Sequence, residues 1–215
     1  MIWFVRHAQS TTNAGGVTIE HAQIPLTALG RAQAATLAEI LALQVQPKQV
    51  LTSSYLRAIE TARPFCKATG CQPETHPLLH EFSTFDPALL EGMMGEQRRP
   101  IAQAYWQQAD PEARHGPGAE TFLEFEARVA GFLELLPALP DRTVLFGHGM
   151  WFGLLCWKLL GFSAQNAEGM RAFRRFQMAL PLPNGAVYTL EQTNSGGWHL
   201  QADEQLMRQL VRCTA

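Results

Sequence analysis

Cysteine is scarce in this chain and never at ligand spacing. Cys66, Cys71, Cys156 and Cys213 form no Cys-x-x-Cys pair and do not alternate with His. No disulfide framework or metal site is therefore expected, and reduced thiols in a cytoplasmic protein fit the pattern. Long apolar runs are also missing. The most apolar stretch, Met150–Phe162, carries Lys158 in its middle; it is too short for a bilayer and reads as a buried helix. The opening run, residues 2–5, stops at Arg6, unlike the apolar region of a secretory leader. An excess of one charge is absent as well: 17 basic against 19 acidic residues leave a net charge of −2. That argues against nucleic acid or a membrane surface as partner. There is no Gly-x-x-x-x-Gly-Lys-Ser/Thr loop and no Gly-x-Ser-x-Gly elbow, so neither a P-loop nucleotide site nor a serine hydrolase has support. Nothing in the sequence indicates an oligomeric state.

What is present is a chain of 215 residues, 47% apolar and 17% charged, enough for one globular domain over 1–215 with a sizeable core. Apolar runs at 2–5, 50–52 and 143–146 each end in a polar turn and lead towards a helical pattern. Thr27 is a fitting N-cap for a helix carrying Leu37, Ile40 and Leu41, and a second helix runs from about Tyr55 to Ala68, stopped by Gly70. A short strand falls near 73–76. Between Glu120 and Leu136 apolar residues recur on one helical face. Two runs near Val187 and Trp198, flanked by Gly-containing turns, read as a terminal hairpin. The expected fold is a three-layer α/β/α arrangement with a mostly parallel sheet, a partly helical lid over about 82–118 and the C-terminal hairpin.

Chemistry-bearing residues gather at the predicted strand ends. Arg6 and His7 follow the first strand, with Asn13 six residues past His7; His148 follows the late strand between two glycines; Arg57 sits in the first turn of a helix after the second strand. Carboxyl ends of strands are where open α/β sheets bind ligands, and helix N-termini favour anions. A cationic side chain in a first helical turn opposes the helix dipole, a local conflict typical of functional positions. Glu81 is the candidate general acid, with Asp86 as the alternative. Arginines match phosphate oxygens in planar, bidentate fashion, so phosphoryl transfer through a His nucleophile fits this set best. An isolated Arg114-His115-Gly116 lacks a preceding strand and reads as a loop coincidence.

These residues resemble the histidine phosphatase superfamily, the phosphoglycerate-mutase-like group. Its opening Arg-His-Gly-Glu-Thr-x-x-Asn is similar to Arg6–Asn13, with Ala8, Gln9 and Ser10 as departures. Its Pro-Leu-Thr-x-x-Gly-x-x-Gln-Ala matches Pro25–Ala34 throughout, and its Ser-x-Leu-x-Arg-Ala-x-x-Thr-Ala is echoed by Ser53–Ala62. Gly118–Thr121 resembles the Gly-Glu-Ser segment before a long helix, His148-Gly149 the late His-Gly, and the Pro-Asn-Gly-Ala-Val run at 183–187 the entry into the terminal strands. The usual Gly-x-Trp-Glu-Gly run after the acid is missing.

The resemblance implies a phosphatase without metal or other cofactor, acting on a small-molecule phosphate ester. His7 would form a phosphohistidine, Arg6, Asn13, Arg57 and His148 would bind phosphate, and Glu81 would serve as acid and then base. A phosphoglycerate mutase is the first rival, because Arg98-Arg99 is similar to a segment that grips a second acidic group; the following Pro100-Ile101-Ala102 departs from it. A catalytically silent phosphate-binding module is the second. Phe82, Arg98 and Arg99 are the expected substrate-facing lid residues. Together with Phe85, Tyr105 and Trp106, Phe82 hints at an apolar or aromatic leaving group.

Overall fold

The structure, a computed structural model, describes residues 1–214; the side chain of Cys213 lies outside the described residues. Six strands form one sheet: β1 (Ile2–Arg6), β2 (Gln49–Thr52), β3 (Pro73–Thr75), β4 (Thr143–Gly147), β5 (Val187–Gln192) and β6 (Trp198–Ala202). Their order is β3-β2-β4-β1-β5-β6. The first four run parallel, whereas β5 pairs antiparallel with β1 and β6 antiparallel with β5.

The inner strands are apolar at consecutive positions because both sheet faces are covered. Phe4, Leu51 and Leu145 point into a core shared with Phe125, Phe132 and Phe152. Their neighbours Val5, Val50, Val144 and Phe146 point to the opposite side, against Leu37, Leu41, Phe65 and Leu206. Period-2 alternation thus splits each strand between two helical layers. One layer holds α1 (Ala28–Gln44), α2 (Leu56–Thr69) and α7 (Glu204–Thr214); the other holds α4 (Phe122–Leu135), α5 (Gly149–Leu159) and α6 (Ala167–Ala179). No helix among the described residues is long and apolar enough to cross a membrane.

Local signals account for several boundaries. Thr27 accepts from the Gly30 amide and starts α1. Thr121 and Glu124 form a capping box at the start of α4. The apolar run from Met150 stays helical only to Leu159, and Leu160 and Phe162 are exposed beyond it. Two helices carry no counterpart in the sequence reading. α6 buries only Met170 and Phe173. α7 follows the hairpin and returns Leu206 and Leu210 to the α1 side.

The segment from 82 to 118 contains a short 3-10 turn, Pro87–Leu90, and α3 (Gly95–Gln108). It is fastened to the loop after β1: the Gly95 amide donates to Gly15 O, the Thr18 amide to Met93 O, and Arg98 Nη1 to Gly16 O and Met93 O. These two segments therefore close over the carboxyl edge of the sheet as one layer.

Candidate active site

Parallel register brings the strand ends together. Arg6 pairs with Gly147 and Thr52 with Phe146, so His7, Ser53 and His148 emerge side by side where β1, β2 and β4 stop. The His7 amide donates to Gly147 O and the Ala8 amide to Thr61 Oγ1 on α2. The Asn184 amide group donates to His7 O and to Asn13 Oδ1. The turn carrying His7 is thus held from three directions.

The protonation pattern of the two histidines follows from their partners. His7 Nδ1 lies 2.7 Å from Ala8 O, and a carbonyl only accepts, so Nδ1 carries the proton and Nε2 the lone pair. Arg57 Nε donates to that Nε2 at 3.3 Å. Burial first, then the Arg57 and Arg6 charges, hold His7 well below the usual imidazole range, so the ring is neutral near pH 7. Its neighbour His148 is fully buried, edge-to-face on His7 at 5.1 Å between centroids. Its Nε2 is 2.8 Å from Ser53 Oγ, which also accepts the Tyr55 amide. When Ser53 Oγ gives its proton to His148 Nε2, the His148 proton rests on Nδ1. Burial first and the Arg57 charge next keep His148 neutral too.

A cavity of about 210 Å³ opens in front of His7. Arg6, Thr12, Asn13, Arg57, Glu81 and Arg98 are among its walls. Three buried polar atoms here have no partner: Arg6 Nε, Thr12 Oγ1 and His148 Nδ1. Buried polar atoms are nearly always hydrogen-bonded, so three orphans around one nucleophilic nitrogen mark a site built to receive oxygen atoms. Gly149 makes room for Arg6: a Cβ there would stand 3.1 Å from Arg6 Nε. Asn13 Oδ1 already accepts from Ser10 and Asn184, which turns its amide N–H groups outward as donors.

Glu81 enters from beyond β3. Its Oε1 accepts from the Phe82 and Trp151 amides and its Oε2 from the Met150 amide, each at 3.0 Å. Since His148 does not cap α5 with its side chain, the Glu81 carboxylate satisfies two of the free N–H groups at that helix start. Arg128 positions this segment by donating to Leu78 O and His80 O while gripping Glu120 through two bonds of 2.8 Å. Burial alone would raise the Glu120 carboxyl, but the His80 and Arg128 hydrogen bonds outweigh it and hold it at about 2.

Not every expected residue converges. His148 is fully buried and absent from the open cavity wall; it meets the site edge-to-face on His7, with only its unpartnered Nδ1 left for a ligand. Asp86 is held away from the cavity: it accepts from the Ala88 and Gly118 amides and braces the lid. Arg98 borders the cavity, but its Nη1 donates to Gly16 O, Thr18 Oγ1 and Met93 O and ties lid to loop. Arg99 borders not this cavity but another along α3, with Trp106 and Arg174. Phe82 borders the cavity with one edge and stacks on Phe125 in the core at 4.6 Å between centroids. Tyr105 is buried core, and the Arg114-His115-Gly116 tripeptide stays outside the cavity wall.

Residues 2–203 match the family model of the histidine phosphatase superfamily (branch 1). The chain belongs to this superfamily. A protein of Yersinia enterocolitica named probable phosphoglycerate mutase is 29% identical over 174 residues, 79% of each chain. The adenosylcobalamin/alpha-ribazole phosphatase of Salmonella typhimurium is 28% identical over 200 residues, 90% of this chain and 96% of its own. Among solved structures, a mycobacterial glucosyl-3-phosphoglycerate phosphatase superposes with a TM-score of 0.71 at 26% identity, over 94% of this chain and 96% of that one.

Four further residues that shape the site carry no signal of their own in the sequence. Ser53 and Asn184 stood inside recognised motifs, yet their roles depend on partners at His148 and on residues 7 and 13. Thr12 and His21 border the cavity without any spacing signal to single them out.

Proposed function

We propose that this histidine phosphatase hydrolyses a phosphate monoester without a metal ion, through a phosphohistidine on His7. The observation that carries the reading is the neutral His7 ring with its lone pair on Nε2, surrounded by the orphaned donors of Arg6, Thr12 and His148. Nε2 attacks phosphorus while the bond to the ester oxygen breaks. Arg57, which meets Nε2 in this structure, moves its hydrogen bonding to a phosphate oxygen, and Arg6, Asn13 and His148 Nδ1–H bind the others. Glu81 protonates the departing alkoxide, then takes a proton from the water that attacks the phosphohistidine, releasing inorganic phosphate and free His7.

Hydrolysis is favoured over mutase-type transfer because the two extra lid arginines are engaged elsewhere, Arg98 in tying the lid and Arg99 at a separate cavity. The substrate is a small molecule rather than nucleic acid or membrane, and we place the enzyme in the cytoplasm, in line with its free thiols at Cys66, Cys71 and Cys156.

The test is phosphate release from 4-nitrophenyl phosphate in excess EDTA, wild type against His7→Ala. Metal-independent release abolished in His7→Ala is the expected result. Undiminished release in that variant refutes the phosphohistidine route, and a wild type that binds phosphate without turnover makes the protein a silent phosphate-binding module.

A further inference from the structure

A second cavity, about 250 Å³, adjoins the one before His7, and four side chains border both: His21, Phe82, Leu90 and Arg98. Phe85 and Trp106 complete its apolar walls. A phosphate seated on His7 therefore has an aromatic-walled annex directly beside it. Arg98 is the sole permanently charged side chain of the annex, and its Nη1 is already given to three lid and loop oxygens.

Charge balance constrains what the annex takes. Around the first cavity stand three arginines, Arg6, Arg57 and Arg98, and one carboxyl group, Glu81, the proposed proton donor to the leaving group. His7 is neutral by the argument above. His21 is held below the usual imidazole range by burial first and the Arg57 charge next. A phosphate monoester, which carries about two negative charges near neutral pH, is matched by Arg6 and Arg57 beside His7. A second anionic group in the annex would meet only Arg98, whose Nη1 is already given to lid and loop oxygens.

His21 adds a directional element. Ser83 Oγ donates to Gly118 O at 3.2 Å and lies 3.2 Å from His21 Nδ1. With its only proton committed to the carbonyl, Ser83 Oγ accepts from His21 Nδ1–H. That leaves an acceptor lone pair on His21 Nε2, which has no protein partner among the described residues, at the junction of the two cavities.

From this geometry we infer that the natural substrate is a phosphate monoester of an uncharged alcohol. Its flat, apolar or aromatic body fills the annex, and a hydroxyl or N–H near the phosphate-bearing carbon donates to His21. This rests on the phosphatase reading and deepens it to a substrate class; phosphoglycerate-like esters with a carboxylate are disfavoured.

The experiment separates binding from turnover. Affinities of 3-phenylpropylphosphonate, propylphosphonate and 2-carboxyethylphosphonate are measured by calorimetry on the wild type. Hydrolysis of 2-phenylethyl phosphate, its 2-hydroxy analogue, ethyl phosphate and 3-phosphoglycerate is followed by phosphate release. The phenyl group is expected to improve phosphonate affinity and kcat/KM about tenfold or more, the ordinary effect of burying a ring, and the carboxylate to weaken both. Ala102→Trp, which places bulk in the annex, should collapse the phenyl preference. His21→Phe should remove the roughly fivefold advantage of the hydroxyl, worth one ordinary hydrogen bond. Equal affinities for the three phosphonates, or a preference for the carboxylate, overturns the inference whatever the turnover. Discrimination among phosphonates with no ester hydrolysed upholds the annex and refutes the phosphatase reading instead.

Discussion

Replacing Glu81 by Gln tests the proposed mechanism at its least conventional point, an acid that also caps a helix. The carboxylate accepts three amide bonds of 3.0 Å, from Phe82, Met150 and Trp151. In Glu81→Gln one oxygen becomes an NH2 group, so at least one of those amides faces another donor. Losing one hydrogen bond to a charged group costs about 2 kcal/mol, which for a chain of this size lowers Tm by roughly 4–8 °C. The chemical effect should depend on the leaving group. An alkoxide needs a proton to depart, so release of ethanol from ethyl phosphate in a single turnover should slow about 10²–10⁴-fold. Nitrophenolate leaves without a proton, so the first turnover of 4-nitrophenyl phosphate should slow far less and appear as a burst. The phosphohistidine then persists, because its hydrolysis needs the same carboxylate as base. Equal slowing of the first step for both leaving groups would refute Glu81 as the acid and reduce it to a helix cap.

Three further outcomes follow from the geometry. Ser53→Ala removes the hydroxyl that meets His148 Nε2; kcat should fall about tenfold with KM little changed, as expected for a lost interaction of about 1.4 kcal/mol, while Ser53→Thr retains activity. The Glu120 carboxyl lies at about 2 against an ordinary 4.5. A lowered pKa stabilises the fold above the unfolded value, so about 3 kcal/mol is present near pH 7 and is lost as pH falls from about 5 towards 2. The Tm gap between wild type and Glu120→Gln should accordingly close on acidification; a gap independent of pH would refute the Arg128–Glu120 assignment. Gly30→Ala would place a Cβ 2.0 Å from Gln9 O, two residues from His7, and overpacking of this kind costs about 1–3 kcal/mol; denaturant titration and kcat should both register the displacement.

Much of the site was legible before any coordinates because it lies at strand ends. A strand buried on both faces is a short apolar run, and the first polar residues after it must emerge at the sheet edge, which placed Arg6, His7 and His148 there. Arg57 was legible through its awkward place in a first helical turn. The lid was harder. Arg98 and Arg99 are adjacent in sequence and equally charged, yet the rotation of about 100° between helical neighbours sends them to different cavities, and nothing in a dipeptide encodes which face of a weakly patterned helix will pack. The sequence put Glu81 ahead of Asp86 as the acid but kept Asp86 as the alternative; the α5 start, contributed from residues 150 and 151, holds Glu81 at the cavity, and Asp86 is not in its wall.

By itself, the sequence determined the α/β architecture, the parallel core of the sheet, the terminal hairpin and the cluster of two His and two Arg. These follow from short-range periodicity and from the geometric rule that strand ends share an edge. The tertiary structure alone decided the proton positions on His7 and His21, the contact of Ser53 with His148, the capping of α5 by Glu81, the use of Arg98 as a lid tie, and the annex beside the phosphate site. Each of those depends on a partner far away in the chain. A hydrogen bond between residues 95 positions apart, such as Ser53 to His148, leaves no trace in local pattern.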